Sequence, residues 1–347
     1  MLSYEGTLFF ERRLLLNFSA IITVMITLAV SFVNGMTDAP NAIVSCVSTG
    51  VVSLKKAVII ASVSDFAGSL VFGVFNRRVA ETVIEIASID KGGEKALVAL
   101  SAAMFCVVLW AVSAWYFGIP TSESHALISA VAGAGVALNN SFNSINLSAW
   151  SKVFSGLFVS VFIGFASGYV VSKLTTIFFI NERINRFYGK CQVASGALMS
   201  FMHGAQDSQK FTGIILLAIS FSGLDFNADK SRWIYALCPL FIAAGTAMGG
   251  ERIIKTVGSN MIKMNNAQGF SSDIAGALCL LISTLMGMPV STTHTKISAV
   301  IGSGVADNIK SLNKKIAGEM VSAWLITFPA CGFISWFITK ISLDFIP

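Results

Sequence analysis

Charge is scarce in this 347-residue chain: Asp, Glu, Lys and Arg make up 12% of it, about half of the roughly 25% found in soluble domains. Hydrophobic residues make up 54% and the mean hydropathy is +0.75, which excludes an ordinary water-soluble domain. No GxxxxGK[ST] loop occurs, so the chain shows no ATP-hydrolysing module. The six cysteines lie scattered in or beside apolar sequence without a CxxC or a zinc-ligand spacing, which leaves them as small core residues. Alternating ten-residue segments of the kind that build membrane barrels are also missing. The intervening charged loops, Asn76 to Lys95 and Asp225 to Arg232, are too short for soluble domains.

What remains is a set of long apolar runs. Leu14 to Val33 is twenty residues without a formal charge, and Leu157 to Ser172 and Gly318 to Ile338 are similar. Each is near the roughly 20 residues a helix needs to cross hydrocarbon. Because a helix satisfies its own backbone in lipid, the expected fold is an all-α integral membrane protein, multi-pass in the cell membrane. The N-terminal run reads as a retained first span rather than a signal peptide, since no small-x-small cleavage site follows it. Further spans are expected near 57–75, 96–117, 153–180, 193–201, 213–221, 233–249, 274–286 and 320–338, with short helices at 124–138 and 293–306. The net charge of +6 sits largely in short loops such as Lys55-Lys56, Arg77-Arg78 and Lys310 to Lys315. It reads as a topology signal, not as a nucleic-acid face.

The polar residues inside the apolar sequence are not scattered at random. Ser31-Phe32-Val33-Asn34-Gly35-Met36-Thr37-Asp38 is followed by Gly118-Ile119-Pro120-Thr121-Ser122-Glu123-Ser124-His125, and the pattern returns as Ser200 to Asp207 and Gly287 to His294. A separation of 169 residues relates Asp38 to Asp207 and also His125 to His294. Of the twenty positions from Gly118 to Ala137, twelve are identical in Gly287 to Ala306. The chain is therefore a duplicated unit: a first repeat over 1–180, a polar link over 181–190 and a second repeat over 191–347. Matched polar interruptions of hydrophobic segments mark a transporter with inverted-topology repeats and a midplane site between them. The short helix after each Pro is below spanning length and reads as a re-entrant half-helix.

A helix start offers unpaired N–H groups and about half a positive charge, so it attracts anions. Thr121, Ser122 and Ser124, and by the repeat Ser291, Thr292 and Thr293, add hydroxyls at two such starts, a cage for a small tetrahedral oxyanion. The blander role for such hydroxyls is helix capping. Asp38 and Asp207 point to cations: an Asp in a membrane span costs roughly 2.5–3.5 kcal/mol on insertion scales and tends to be functional. Both are expected in unwound Gly-x-x-Asp turns whose carbonyls, with Asn34, Asn41, Gln206 and Gln209 nearby, suit Na⁺. Capping of a half-helix, or for Asp207 pairing with Lys210, is the structural alternative. All three histidines fall in the motifs; His125 and His294 read as orienting groups behind the hydroxyls. Three roles stay open for Glu123, which faces Thr292 in the second copy: helix-start electrostatics, cation ligation or titration.

At these residues the chain resembles the inorganic phosphate transporter (PiT) family. Asn34 to Ile43 and His203 to Lys210 are similar to the family's paired signatures, and Gly118 to Leu127 and Gly287 to Thr295 to its Pro-Ser/Thr-His motifs. The resemblance implies a secondary transporter of inverted repeats, its partners being a second copy of the chain in a homodimer and sodium or protons as co-transported ions, with no cofactor. It assigns phosphate contacts to Thr121, Ser122, Ser124, Ser291, Thr292 and Thr293. Sodium contacts fall to Asp38, Asn41, Asp207 and Gln206, with Asn34, His203 and Glu123 as further candidates. The chain departs from the family in carrying Thr37 and Gln206 where Asn often precedes the motif Asp, which bears on the number and identity of the cations. The rivals are a sulfate permease or a proton-coupled (or metal-phosphate) symporter of the same architecture, a channel, and an intramembrane hydrolase using Ser122 or Ser124, His125 and Asp38. The hydrolase is disfavoured because Ser and His so close on one helix start are poorly placed as nucleophile and base.

Overall fold

The computed structural model describes residues 4–87, 89, 92–119, 121–177, 182–223, 233–248, 254, 256–257 and 261–346. The motif residue Pro120, the first link residue Asn181 and the loop Asp225 to Arg232 lie outside them. The described residues are almost entirely helical. The first repeat runs α1 Tyr4–Thr37, α2 Ala39–Ser48, α3 Leu54–Phe75, α4 Arg78–Ala87, α5 Glu94–Phe117, α6 Glu123–Asn139, α7 Leu147–Phe158 and α8 Gly164–Ile177, the last two joined by a π-helical turn, Val159–Ile163. After them come α9 Glu182–Phe221, which begins in the expected link, α10 Ile234–Met248, α11 Asn266–Leu285, α12 Thr292–Val305 and α13 Lys314–Asp344. Among the described residues, six helical stretches are long and apolar enough to cross a membrane: 15–48, 54–75, 94–117, 147–177, 266–285 and 314–344.

Three local expectations change. The segment 76–95, expected as a charged loop, contains α4, because Val79, Ala80, Val83, Ile86 and Ala87 fall on one buried helical face while Glu81 and Glu85 face away. The polar link is helical from Glu182 on, as part of the 40-residue α9. Asp207 does not lie in an unwound turn, since α9 runs unbroken through it. Asp38 does sit at a break, between α1 and α2. The cause is Pro40, which lacks an N–H and crowds the carbonyl four residues earlier; Gln209, 169 residues on, has its N–H and lets the helix continue.

Helices from the two repeats interlock. α1 packs on α10 and α9 on α3; α6 packs on α13 and α12 on α8. The motif glycines make the first two contacts close: a Cβ on Gly35 would collide with the Ile242 carbonyl, and one on Gly204 with the Asp65 carbonyl. Hydroxyls inside the spans are satisfied by their own helices, as where Thr27 donates to the Thr23 carbonyl at 2.7 Å and Ser31 to the Thr27 carbonyl at 3.0 Å. The short helices α6 and α12 are buried along most of their length.

Candidate transport site

Both hydroxyl clusters sit at helix starts, and those starts meet. Ser122 is the N-cap of α6, its Oγ accepting from the His125 N–H at 3.2 Å, and Ser291 caps α12, accepting from the His294 N–H at 3.1 Å. The capping role is thus real for these two serines, and each keeps its own O–H for donation. The rings of His125 and His294 touch edge to face with centroids 4.4 Å apart. His125 stacks on Phe328 at 4.4 Å, and His294 leans on Trp324 at 3.9 Å. His125 Nδ1 and both ring nitrogens of His294 have no hydrogen-bond partner. The two histidines therefore join the helix starts by ring packing.

Each aspartate motif crosses to the hydroxyl cluster of the other repeat. Asn41 Nδ2 donates to Thr293 Oγ1 at 3.1 Å. Its counterpart 169 residues on, Lys210, donates through Nζ to Ser124 Oγ at 2.5 Å, and Ser124 is the counterpart of Thr293. Lys210 Nζ also binds Asp207 Oδ1 at 2.6 Å and the Val290 carbonyl at 2.7 Å. Asp207 Oδ2 accepts from Asn34 Nδ2 at 3.1 Å and from Thr292 Oγ1 at 3.3 Å, and lies 3.4 Å from His203 Nε2. Gln206 turns away, donating to the Met288 carbonyl at 2.8 Å and accepting from Thr284 Oγ1 at 2.5 Å. Thr121, Ser122, Glu123, Ser124, Ser291, Thr292, Thr293 and both aspartates are buried, none more than 7% exposed.

The surroundings of the two aspartates differ in kind. Around Asp207 every carboxylate oxygen has donors. Around Asp38 the unpartnered atoms are oxygens: Asp38 Oδ2, Asn34 Oδ1, Asn41 Oδ1 and Glu123 Oε2. Glu123 is tied to this stretch because Thr37 Oγ1 donates to its Oε1. A buried acceptor without a donor costs about 1–3 kcal/mol. Four acceptors without donors fall in this stretch and in Glu123, which is tied to it, and oxygens are the donor type that small hard cations prefer.

A model of the phosphate transporter family matches residues 34–184 and again 177–335. The chain belongs to the phosphate transporter family. It is accordingly a multi-pass integral membrane transporter and not an enzyme. Among its relatives, the "Probable low-affinity inorganic phosphate transporter" of Bacillus subtilis (strain 168) is 33% identical over 325 residues, 92% of this chain and 96% of that protein. A protein of the same description from Rhizobium meliloti (strain 1021) is 36% identical over 318 residues, 90% of this chain and 93% of the relative. A solved structure described as "The sodium-dependent phosphate transporter" superposes with a TM-score of 0.75 at 20% identity, covering 95% of this chain and all of the other, a match in fold.

Two further buried polar groups of this family member escaped the sequence reading. Asp65, wholly buried in α3, binds His203 Nδ1 at 3.1 Å and Thr246 Oγ1 at 2.9 Å. Asp273 of α11 pairs with Lys296 of α12 and accepts from Ser45 at 2.5 Å and Ser195 at 3.1 Å. Both carboxylates stand alone in apolar stretches, which is the signal that marked Asp38 and Asp207; neither Asp65 nor Asp273 belongs to the repeated motifs.

Proposed function

We propose that the protein is a secondary active transporter that carries orthophosphate by sodium symport, with the two repeats 1–180 and 191–347 arranged in inverted topology and one rocking against the other to expose a common site alternately to each side. Phosphate binds between the starts of α6 and α12 through Thr121, Ser122, Ser124, Ser291, Thr292 and Thr293. Sodium binds at Asp38 with Asn34 and Asn41, Glu123 adjoining. The observation that carries this reading is the meeting of the two hydroxyl-rich starts beside a stretch whose unpartnered buried atoms are all oxygens.

Charge explains the coupling. Two like unit charges 4 Å apart repel by about 4 kcal/mol at an effective dielectric near 20, so an ionised Asp38 opposes phosphate until a cation neutralises it. Loading both together removes the penalty, and loading either alone keeps it. The sodium named in the description of the structural neighbour and the oxygen-rich set around Asp38 favour this ion. A proton-driven variant is favoured by one observation, the buried Glu123 with Oε2 unpartnered, where a proton would supply the missing donor. A homodimer is the assembly we expect by family resemblance.

The test is uptake of radiolabelled phosphate into liposomes holding the purified protein. An inward sodium gradient should drive accumulation above equilibrium at fixed pH. Accumulation that follows only a pH gradient would assign protons instead, and equilibration under either gradient would make the protein a channel. Accumulation of radiolabelled sulfate without accumulation of phosphate would make sulfate the substrate.

A further inference from the structure

The 169-residue offset aligns Asn41 with Lys210, and the structure gives the two the same address: each reaches across to the hydroxyl at the start of the other repeat's half-helix, Thr293 and Ser124 respectively. Their consequences differ. Asn41 is neutral and leaves its own Oδ1 and Asp38 Oδ2 without partners. Lys210 places an ammonium among three oxygens, Asp207 Oδ1 at 2.6 Å, Ser124 Oγ at 2.5 Å and the Val290 carbonyl at 2.7 Å. Three oxygens match the three N–H donors an ammonium possesses, and the lysine is 0% exposed. A carboxylate, a hydroxyl and a backbone carbonyl form the kind of oxygen set that a hard cation takes.

We infer that the Lys210 ammonium stands where the second repeat would otherwise hold a co-transported cation, so that one of the two symmetry-related cation positions is filled permanently by a charge tethered to α9. This rests on the sodium reading above and deepens it: the aspartate that couples is Asp38, and Asp207 serves as the partner of a fixed cation. The Lys210 charge stays with the protein through the cycle, so it offsets phosphate charge in the loaded site without drawing on the ion gradient. Sodium moved per phosphate is then one fewer than two matching aspartate sites would give.

The experiment replaces Lys210 with the residue its repeat counterpart carries, Lys210→Asn, and with Lys210→Gln, which keeps an oxygen ligand on a longer side chain. Binding of radiolabelled sodium to the purified full chain in detergent is measured at saturation, beside the sodium dependence of phosphate uptake in liposomes. The expected result is about one more sodium bound per chain in a variant than in the wild type, and a Hill slope for sodium-dependent uptake rising from about one towards about two. A gain of one ion supports the inference even if wild-type uptake proves independent of sodium, which would sink only the coupling reading. Wild-type binding that is unchanged in both variants overturns the inference and leaves sodium coupling at Asp38 intact. A wild-type slope near two overturns it without any variant. Loss of phosphate affinity with unchanged sodium binding would make Lys210 a phosphate ligand instead.

Discussion

Removing one charge of the buried Lys296–Asp273 pair should harm the protein more than removing both. Lys296 Nζ, bound to Asp273 Oδ1, is otherwise near only Ser45 Oγ at 3.2 Å and Ser272 Oγ at 3.3 Å, and both ionic side chains are 0% exposed. Lys296→Leu strands a carboxylate with hydroxyl donors alone, and Asp273→Met strands an ammonium; either loss is of the kind that costs about 3–5 kcal/mol. At the same 169-residue offset the first repeat carries Leu127 and Met104, both wholly buried in the apolar core. The double variant Lys296→Leu/Asp273→Met therefore restores a pair the fold already uses. Replacing a buried ion pair with apolar residues of similar volume is often neutral or stabilising by about 1–4 kcal/mol. Of the serines left behind, Ser195 keeps its bond to the Gln192 carbonyl at 3.0 Å and Ser272 its bond to the Gly269 carbonyl at 2.8 Å, while Ser45 loses both side-chain partners, a neutral hydroxyl costing less than a stranded charge. The assay is the half-life of monodisperse protein in detergent at raised temperature, a rate measurement suited to irreversible unfolding. Both single variants should lose most of the wild-type half-life and the double should regain it. A double variant no more durable than the weaker single would refute the reasoning and show that the ion pair is a net contributor.

Three further outcomes are expected. Asp38→Asn should lower sodium-dependent phosphate uptake at least about tenfold, a change of roughly 1.4 kcal/mol, while folded yield on size exclusion stays near wild type; a parallel fall in yield would make Asp38 structural. Gly204→Ala should destabilise by about 1–3 kcal/mol through overpacking, because its Cβ meets the Asp65 carbonyl, whereas Gly318→Ala, with no neighbour within 4 Å, should be neutral or mildly stabilising in the same thermal assay. His125→Phe should keep folded yield and most uptake, since the imidazole is held by ring contacts with Phe328 and His294; a loss of uptake beyond about a hundredfold (about 2.7 kcal/mol) with yield intact would give the imidazole a chemical role.

How far the sequence could be read varied with the range of the forces involved. The long spans and the two short motif helices were legible because hydrophobic length and hydroxyl-rich helix starts are local properties. So, in hindsight, were α4, whose apolar residues repeat at helical spacing, and the unbroken α9, because Gln209 replaces the helix-breaking Pro40. The duplication was legible as a fixed offset. The partners of Asp207 were another matter: Lys210 was visible three residues away, but its simultaneous reach to Ser124 and Val290 depends on segments 86 and 80 residues distant.

By itself the chain determined its solvent, its helices, its internal duplication and the chemistry of its polar clusters, since each follows from composition or from residues close in sequence. Only the tertiary structure decided which cluster each aspartate meets. Two motifs of matching sequence acquired different surroundings, unpartnered oxygens in the Asp38 stretch and a full set of donors at Asp207, because packing brings Asn34 to Asp207, Lys210 to Ser124 and Asn41 to Thr293, contacts that no local pattern sets.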